Sequence, residues 1–317
     1  MTASIPSALL SIVPIFALIL AGLLTGRAKL LGPHAGDGLN GFVIWLALPA
    51  LLFATVAKAN WADLWQPGFI AVFGISGLAM LMLAVLVAVF KGRRNLADAA
   101  IAGLNAGYSN VGFMGFPIAA TLLGTSALLP TTIAAVMTMC VFFAGTIILV
   151  EIGLHAGGSV GHVLYRVAKS LVRHPLVIAP VCGIPFALFA IGIPAPASQF
   201  LNMLAGAASP CALVAIGLFL AKKQLPSEQH GMTMLPFLVL CKLLVQPLLA
   251  WFLAAKIFHL DPVWLRTAVL MAALPTGTGA FMLAEHYRRD ATISSRVIVI
   301  STLLSIITIS LGMAVLL

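Results

Sequence analysis

Asn105-Ala106-Gly107-Tyr108-Ser109-Asn110-Val111-Gly112-Phe113-Met114-Gly115-Phe116-Pro117 stands in the middle of an apolar run, 97–123, that is long enough to cross a bilayer. It packs three glycines, a proline and two asparagines into one short stretch. A second such cluster, Leu274-Pro275-Thr276-Gly277-Thr278-Gly279, stands in the middle of the run 262–286. Breaking a helix frees backbone N–H and C=O groups, which in lipid is costly unless they line a cavity or bind something. In carriers built from inverted halves, binding sites form where helices break at the midplane. If these two clusters cross, two half-helix N-termini converge. Each carries unpaired N–H donors and about half a positive charge, a means of holding a carboxylate without a buried cation. Glycine and proline are also common in membrane helices for packing and kinking, and that reading stands beside the first.

The composition sets the solvent. Of the 317 residues 62% are hydrophobic, only 8% are charged, and the mean hydropathy is +1.14. A soluble domain of ordinary make-up carries roughly 25% charged residues, so this chain is expected to be solvated by lipid. Apolar runs fall near 7–26, 37–57, 68–90, 97–123, 131–153, 175–192, 198–221, 233–255, 262–286 and 292–316. The spacing predicts an all-α membrane protein of about ten transmembrane helices. No Lys or Arg precedes the first run, so it is expected to be a permanent span rather than a cleaved leader. The four cysteines (Cys140, Cys182, Cys211, Cys241) stand singly in apolar stretches, which suits buried side chains better than disulfides or metal.

The net charge of +9 could suggest nucleic acid, but the basic residues are placed by topology. Arg27, Lys29, Lys91, Arg93, Arg94, Arg166, Lys169, Arg173, Lys222, Lys223, Arg288 and Arg289 follow odd-numbered runs, whereas only Lys58 and Lys256 follow even-numbered ones. Positively charged loops face the cytoplasm. Both termini are then expected outside a cytoplasmic membrane, and no nucleic-acid partner is expected. Pro14, Gly22, Pro33 and Pro49 recur as Pro175, Gly183, Pro194 and Pro210 at one offset of 161, and Pro117 recurs as Pro275 at 158. Each half, 1–153 and 175–317, holds five runs, an odd number, so the second enters the membrane upside down. The stretch 154–174 reads as the linker.

Lys242 stands within the eighth run, with Gln246-Pro247 a turn further on. A charge at mid-bilayer costs at least ~2.5–3.5 kcal/mol. Lys242 is therefore expected to face the interior, attracting the anion or pairing with a neighbour; snorkelling to the interface is the alternative. Leu48-Pro49 and Ser209-Pro210 read as kinks. The acidic residues and histidines fall near the ends of runs or in loops; Asp98, Glu285 and His286 are the candidates for proton coupling, and interfacial placement is the simpler reading. No buried acidic pair, Ser-His-Asp order, HExxH, Walker or dinucleotide pattern occurs, so neither an enzyme nor a cofactor or metal site is expected.

Gly38-Leu39-Asn40-Gly41-Phe42-Val43 with Pro49-Ala50-Leu51-Leu52-Phe53 resembles the second span of the auxin efflux carrier family. Asn110 with Met114-Gly115-Phe116-Pro117 resembles that family's fourth-span Asn…MGxP motif. Ala273-Leu274-Pro275-Thr276-Gly277, followed by Phe281, Ala284 and Tyr287, is similar to its ninth-span ALPxGxxxFxxAxxY pattern. The resemblance covers nearly the whole chain. It implies a ten-helix fold similar to bile acid sodium symporters. Spans 1, 2, 6 and 7 would be a scaffold, spans 3–5 and 8–10 a mobile domain holding crossed helices 4 and 9, with elevator-like access and a homodimer. Asn110, Pro117, Pro275 and Gly277 acquire a place at the crossing through it; Gly115, within the quoted fourth-span motif, is a further candidate for the site, and Asn105, Ser109, Thr276 and Thr278 are added from position. The family contains plant auxin exporters and bacterial permeases for malate, malonate or similar acids. Here the loop between halves is short, which favours the prokaryotic type. Thr276 stands where the plant carriers have Gln, which argues against auxin itself.

The sequence therefore points to a secondary carrier for a small organic anion, embedded in membrane lipid. A non-transporting receptor for an organic acid and an ion-coupled antiporter are the competing readings.

Overall fold

The computed structural model describes residues 5–60, 65–91, 94–154, 175–221, 233–289 and 291–316, with a few isolated positions between them. The expected linker 154–174 and the loop with Lys222 and Lys223 fall largely outside the described residues. Among the described residues all regular structure is helical, apart from one isolated bridge considered below.

In chain order the helices are α1 (Ile5–Arg27), α2 (Ala35–Ala57), α3 (Pro67–Phe90), α4 (Leu96–Gly107), α5 (Val111–Leu123), α6 (Thr125–Leu154), α7 (Pro175–Leu188), α8 (Ala195–Ala221), α9 (Leu235–Ile257), α10 (Pro262–Ala273), α11 (Gly279–His286) and α12 (Thr292–Leu316). By length and composition α2, α3, α6, α8, α9 and α12 can each cross a bilayer, whereas α5, α7 and α10 are shorter apolar helices. Each expected run is occupied by helix. The largest shift of a boundary is at α6, which begins at Thr125 instead of 131 because Gly124, at φ +81°, turns the chain sharply there. α7 stops at Leu188 rather than 192, with Ala190 in the left-handed region at φ +50°. Large apolar side chains such as Trp45, Leu86, Phe90, Phe200 and Leu248 are exposed, as suits a lipid-facing surface.

Prolines inside these helices are absorbed locally. Proline lacks an N–H and its ring crowds the carbonyl four residues earlier, so the preceding turn must adjust. Widened π turns at Val43–Ala47, Val111–Gly115 and Cys241–Val245 each end two residues before Pro49, Pro117 and Pro247. Pro49 and Pro210 both lie within continuous helix, as the kink reading required.

Glycines let the helices touch backbone to backbone. A Cβ on Gly22 would lie 2.3 Å from the Val214 carbonyl oxygen, so α1 lies directly on α8. A Cβ on Gly183 would lie 3.0 Å from the Phe53 carbonyl oxygen, which sets α7 on α2. The two contacts correspond: Gly183 and Val214 stand 161 positions after Gly22 and Phe53. Gly103 and Gly107 seat α4 on Leu81 and Gly77 of α3, and Gly153 seats α6 on α4. A large apolar core runs through α3–α6 and α9–α12 and takes in Ile15 and Ile19 of α1 and Leu213 and Ile216 of α8, and a smaller one, including Val43, Leu52, Phe116 and Ala212, joins α2, α5 and α8.

Candidate functional site

The two broken helices meet. α4 ends at Gly107, Tyr108 is extended (φ −92°, ψ 102°), Asn110 is non-helical (φ −77°, ψ 55°), and α5 resumes at Val111. α10 ends at Ala273. Leu274 is extended (φ −59°, ψ 149°), as a residue before proline prefers, and α11 resumes at Gly279. The interruptions lie antiparallel, Ser109 opposite Thr276. The Asn110 N–H donates to the Pro275 carbonyl at 2.9 Å, and the Gly277 N–H donates to the Tyr108 carbonyl at 3.0 Å. Backbone groups that each helix gives up are thus satisfied by the other, which an apolar interior demands. A Cβ on Gly277 would lie 2.5 Å from the Tyr108 ring, so only glycine fits the seam.

Side chains tie the seam inward. The Thr276 hydroxyl donates to the Asn105 carbonyl at 2.7 Å, and the Thr276 N–H donates to Ser301 Oγ at 3.1 Å. Asn105 Nδ2 donates to the Ile101 carbonyl at 2.9 Å and to Ser294 Oγ at 2.8 Å. Asn105, Ser109, Asn110 and Thr276 are all buried. Among the described residues, Asn105 Oδ1, Ser109 Oγ and Asn110 Nδ2 find no hydrogen-bond partner. Orphan polar atoms are rare in interiors and mark a place where something else binds or moves.

The ten singled-out residues therefore separate. Asn105, Ser109, Asn110, Pro275, Thr276 and Gly277 form or brace the seam. Gly115 and Pro117 lie beyond it, inside α5: Gly115 packs towards Met271 and Leu274, and the widened turn carries the helix through Pro117. The break in the fourth run falls at Tyr108–Asn110, where there is no proline. Asn105 edges a small cavity of about 20 Å³ beside Asp98 and Ser294, and Thr278, half-buried at the start of α11, lines a much larger one.

That cavity, about 130 Å³, lies between the first turns of α2 (Gly36, Asp37, Asn40), the last turns of α8 (Ala215, Ile216, Phe219) and the N-terminal parts of α5 and α11 (Phe113, Thr278, Phe281, Met282). Phe219 and Phe281 meet edge to face across it, centroids 5.2 Å apart. Asp37, Asn40, Phe113 and Phe281 were not singled out for the site from sequence; the starts of α2 and α11 and the end of α8 share a common place only once folded. A larger hollow of about 500 Å³ between α9, α10 and α12 is lined by Leu243, Leu248, Trp251 and Val269 among others, surroundings for an acyl chain rather than a carboxylate.

Lys242 does face the interior, at 0% exposure. Its ammonium donates to Gln246 Oε1 and to the Ala272 carbonyl, both at 2.6 Å. Gln246 Nε2 donates in turn to the Gly107 carbonyl at 3.4 Å. Lys242 thus serves the C-terminal ends of α10 and α4 and does not line the cavity with Thr278.

At the loop side, Arg289 grips Asp98 with two bonds, Nε–Oδ1 2.7 Å and Nη2–Oδ2 2.5 Å, and the Tyr287 hydroxyl donates to Glu151 at 2.7 Å. The hydrogen bond that Arg289 donates to Asp98 raises the Arg289 pKa above its ordinary value, so the guanidinium stays charged. These contacts fasten the end of α11 to α4 and α6. No cluster of three or more metal-ligating side chains occurs among the described residues.

A sequence pattern shared by a family described as membrane transport protein matches residues 7–313. The chain belongs to this family, that of the auxin efflux carriers. A Rhizobium meliloti (strain 1021) relative named "Putative malonate transporter" is 31% identical over 94% of this chain and 92% of its own. An Escherichia coli (strain K12) relative, "Uncharacterized transporter YfdV", is 27% identical over 91% and 92%. An "Uncharacterized transporter" of Methanothermobacter thermautotrophicus is 26% identical over 96% and 97%. This auxin efflux carrier-type protein is an integral membrane transporter, not an enzyme.

Proposed function

We propose that this protein is a secondary carrier that moves a small organic anion, of the malonate or malate kind, across the cytoplasmic membrane. The observation that carries this reading is the small polar-edged cavity at the starts of α5 and α11, directly beside the seam of hydrogen-bonded interruptions. Two helix N-termini direct their partial positive charge and free N–H groups there. Thr278 adds a hydroxyl and Asn40 a side-chain amide, with the Asp37 carboxylate at the edge of the same cavity. The cavity is well below the about 300–1,000 Å³ typical of drug-sized ligands, which suits a short acid. The name of the Rhizobium meliloti relative agrees with that class.

The rest of the mechanism follows from which helices carry the cavity. α1, α2, α7 and α8 form the scaffold, joined by the two corresponding glycine contacts. α3–α6 and α9–α12 form the moving part, tied together by the seam, and the large core also takes in Ile15, Ile19, Leu213 and Ile216 of the scaffold. The halves are inverted repeats of five spans each, the broken ones being α4–α5 and α10–α11, which cross at the seam. The cavity lies between the two parts, so an elevator-like displacement of one past the other would expose it alternately. The basic loop with Arg27 and Lys29 supports a cytoplasmic side for this end of the cavity, with the termini outside. A homodimer through the scaffold completes the arrangement.

Uptake of radiolabelled malonate into proteoliposomes, with binding followed on solid-supported membranes, tests this. Wild type should bind and accumulate the acid. Thr278→Ala should weaken binding by about tenfold, the worth of one hydrogen bond to a charged group, with unchanged thermal stability. Binding without transport would favour the receptor reading; full binding by Thr278→Ala together with Asn40→Ala would remove the acid from this cavity.

A further inference from the structure

Two negative ends meet on the far side of the seam. The C-termini of α4 and α10 both stop there, and each bears unpaired carbonyls and about half a negative charge. In carriers with broken helices such carbonyl ends commonly coordinate a sodium ion. Here the Lys242 ammonium is already among them, 2.6 Å from the Ala272 carbonyl of α10. It reaches α4 through Gln246, which accepts from Lys242 at 2.6 Å and donates to the Gly107 carbonyl at 3.4 Å. Both side chains are at 0% exposure, and both come from one face of α9, a turn apart around Cys241–Val245. The partners are an amide oxygen and a main-chain carbonyl, which want a positive charge without cancelling it.

We propose that Lys242 is a tethered substitute for a coupling cation: it occupies the place between the two helix C-termini that a sodium ion would take, so that transport has no sodium requirement. Lys242 is then a positioning residue that holds the crossing closed, and the anion is left to the helix N-termini on the opposite side. This rests on the carrier reading above for its transport arm only.

Purified protein is compared in sodium chloride and in N-methyl-D-glucamine chloride, by unfolding temperature in detergent and by malonate uptake in proteoliposomes. Wild type should melt alike in both salts, with uptake equal within about twofold. Lys242→Ala should melt lower and lose about tenfold or more of its uptake in N-methyl-D-glucamine. Both should recover in part with methylammonium or sodium chloride, whose cations fit the vacated space. Lys242→Met, which fills that space without charge, should lose as much and recover nothing. A purely structural lysine would give variants indifferent to the cation. Stabilisation of wild type by sodium, or Lys242→Ala that melts like wild type or responds to no cation, overturns the proposal. If neither variant can be purified, the wild-type comparison still decides. If wild type carries no malonate in either salt, the carrier reading fails at its probe while the melting data still judge Lys242.

Discussion

Thr276 and Thr278 are two positions apart and do different work. The Thr276 hydroxyl is buried and spent on the Asn105 carbonyl, whereas Thr278 faces the cavity. Thr276→Val should therefore cost about 1–3 kcal/mol by leaving a buried carbonyl unpaired, read as a lowered unfolding temperature, while the binding constant of the protein that remains folded changes little. Gly277→Ala should be worse tolerated, since its methyl group would enter the Tyr108 ring, the 2.5 Å approach having no slack. A loss of about 1–3 kcal/mol is expected from such overpacking. Tyr108→Ala in the same chain should return part of it; no return would mean that the glycine is needed for something other than space. Sequence marked both threonines equally, because a hydroxyl's direction is set by the neighbours it meets.

The interruptions are elements with different origins. In the tenth and eleventh helices Leu274-Pro275 stops the helix by itself: proline forces Leu274 into extended geometry and supplies no N–H. Pro275→Ala should let α10 and α11 fuse toward one helix, abolishing uptake while helical circular dichroism is kept or rises. Uptake at the wild-type rate would show that the seam holds without it. Between α4 and α5 there is no such dictator. Tyr108, Ser109 and Asn110 unwind where Pro275 and Gly277 offer replacement hydrogen bonds, and Pro117, the more obvious breaker, is carried inside helix by a widened turn.

At the scale of the molecule, α1 on α8 and α7 on α2 are the same kind of contact with unequal room. Gly22→Ala drives a methyl group to 2.3 Å from a main-chain oxygen that cannot step aside, whereas Gly183→Ala meets one at 3.0 Å. The first should lower stability by about 2–3 kcal/mol and the second by about 1 kcal/mol or less, compared as melting temperatures of the two purified variants. Equal losses would mean that the close approach at Gly22 does not govern how α1 and α8 pack. The corresponding contacts also account for the recurrence of Gly22 as Gly183: a repeated backbone approach needs a residue without a side chain at repeated places.

Sequence alone determined the solvent, the helical runs, the family and the two stretches where helices fail, because composition, hydropathy and proline chemistry act locally. It also required Lys242 to turn inward, since a charge in lipid has few other refuges. Tertiary structure decided the rest. Which backbone groups replace the lost helical bonds, where the fourth run actually opens, that Lys242 serves helix C-termini rather than an anion, and that Asp37 and Asn40 share a cavity with Thr278 all depend on groups from separate helices, 30 positions apart for Lys242 and Ala272 and 139 for Gln246 and Gly107. A hydrogen bond records only distance and direction, and no local pattern encodes either across such a separation.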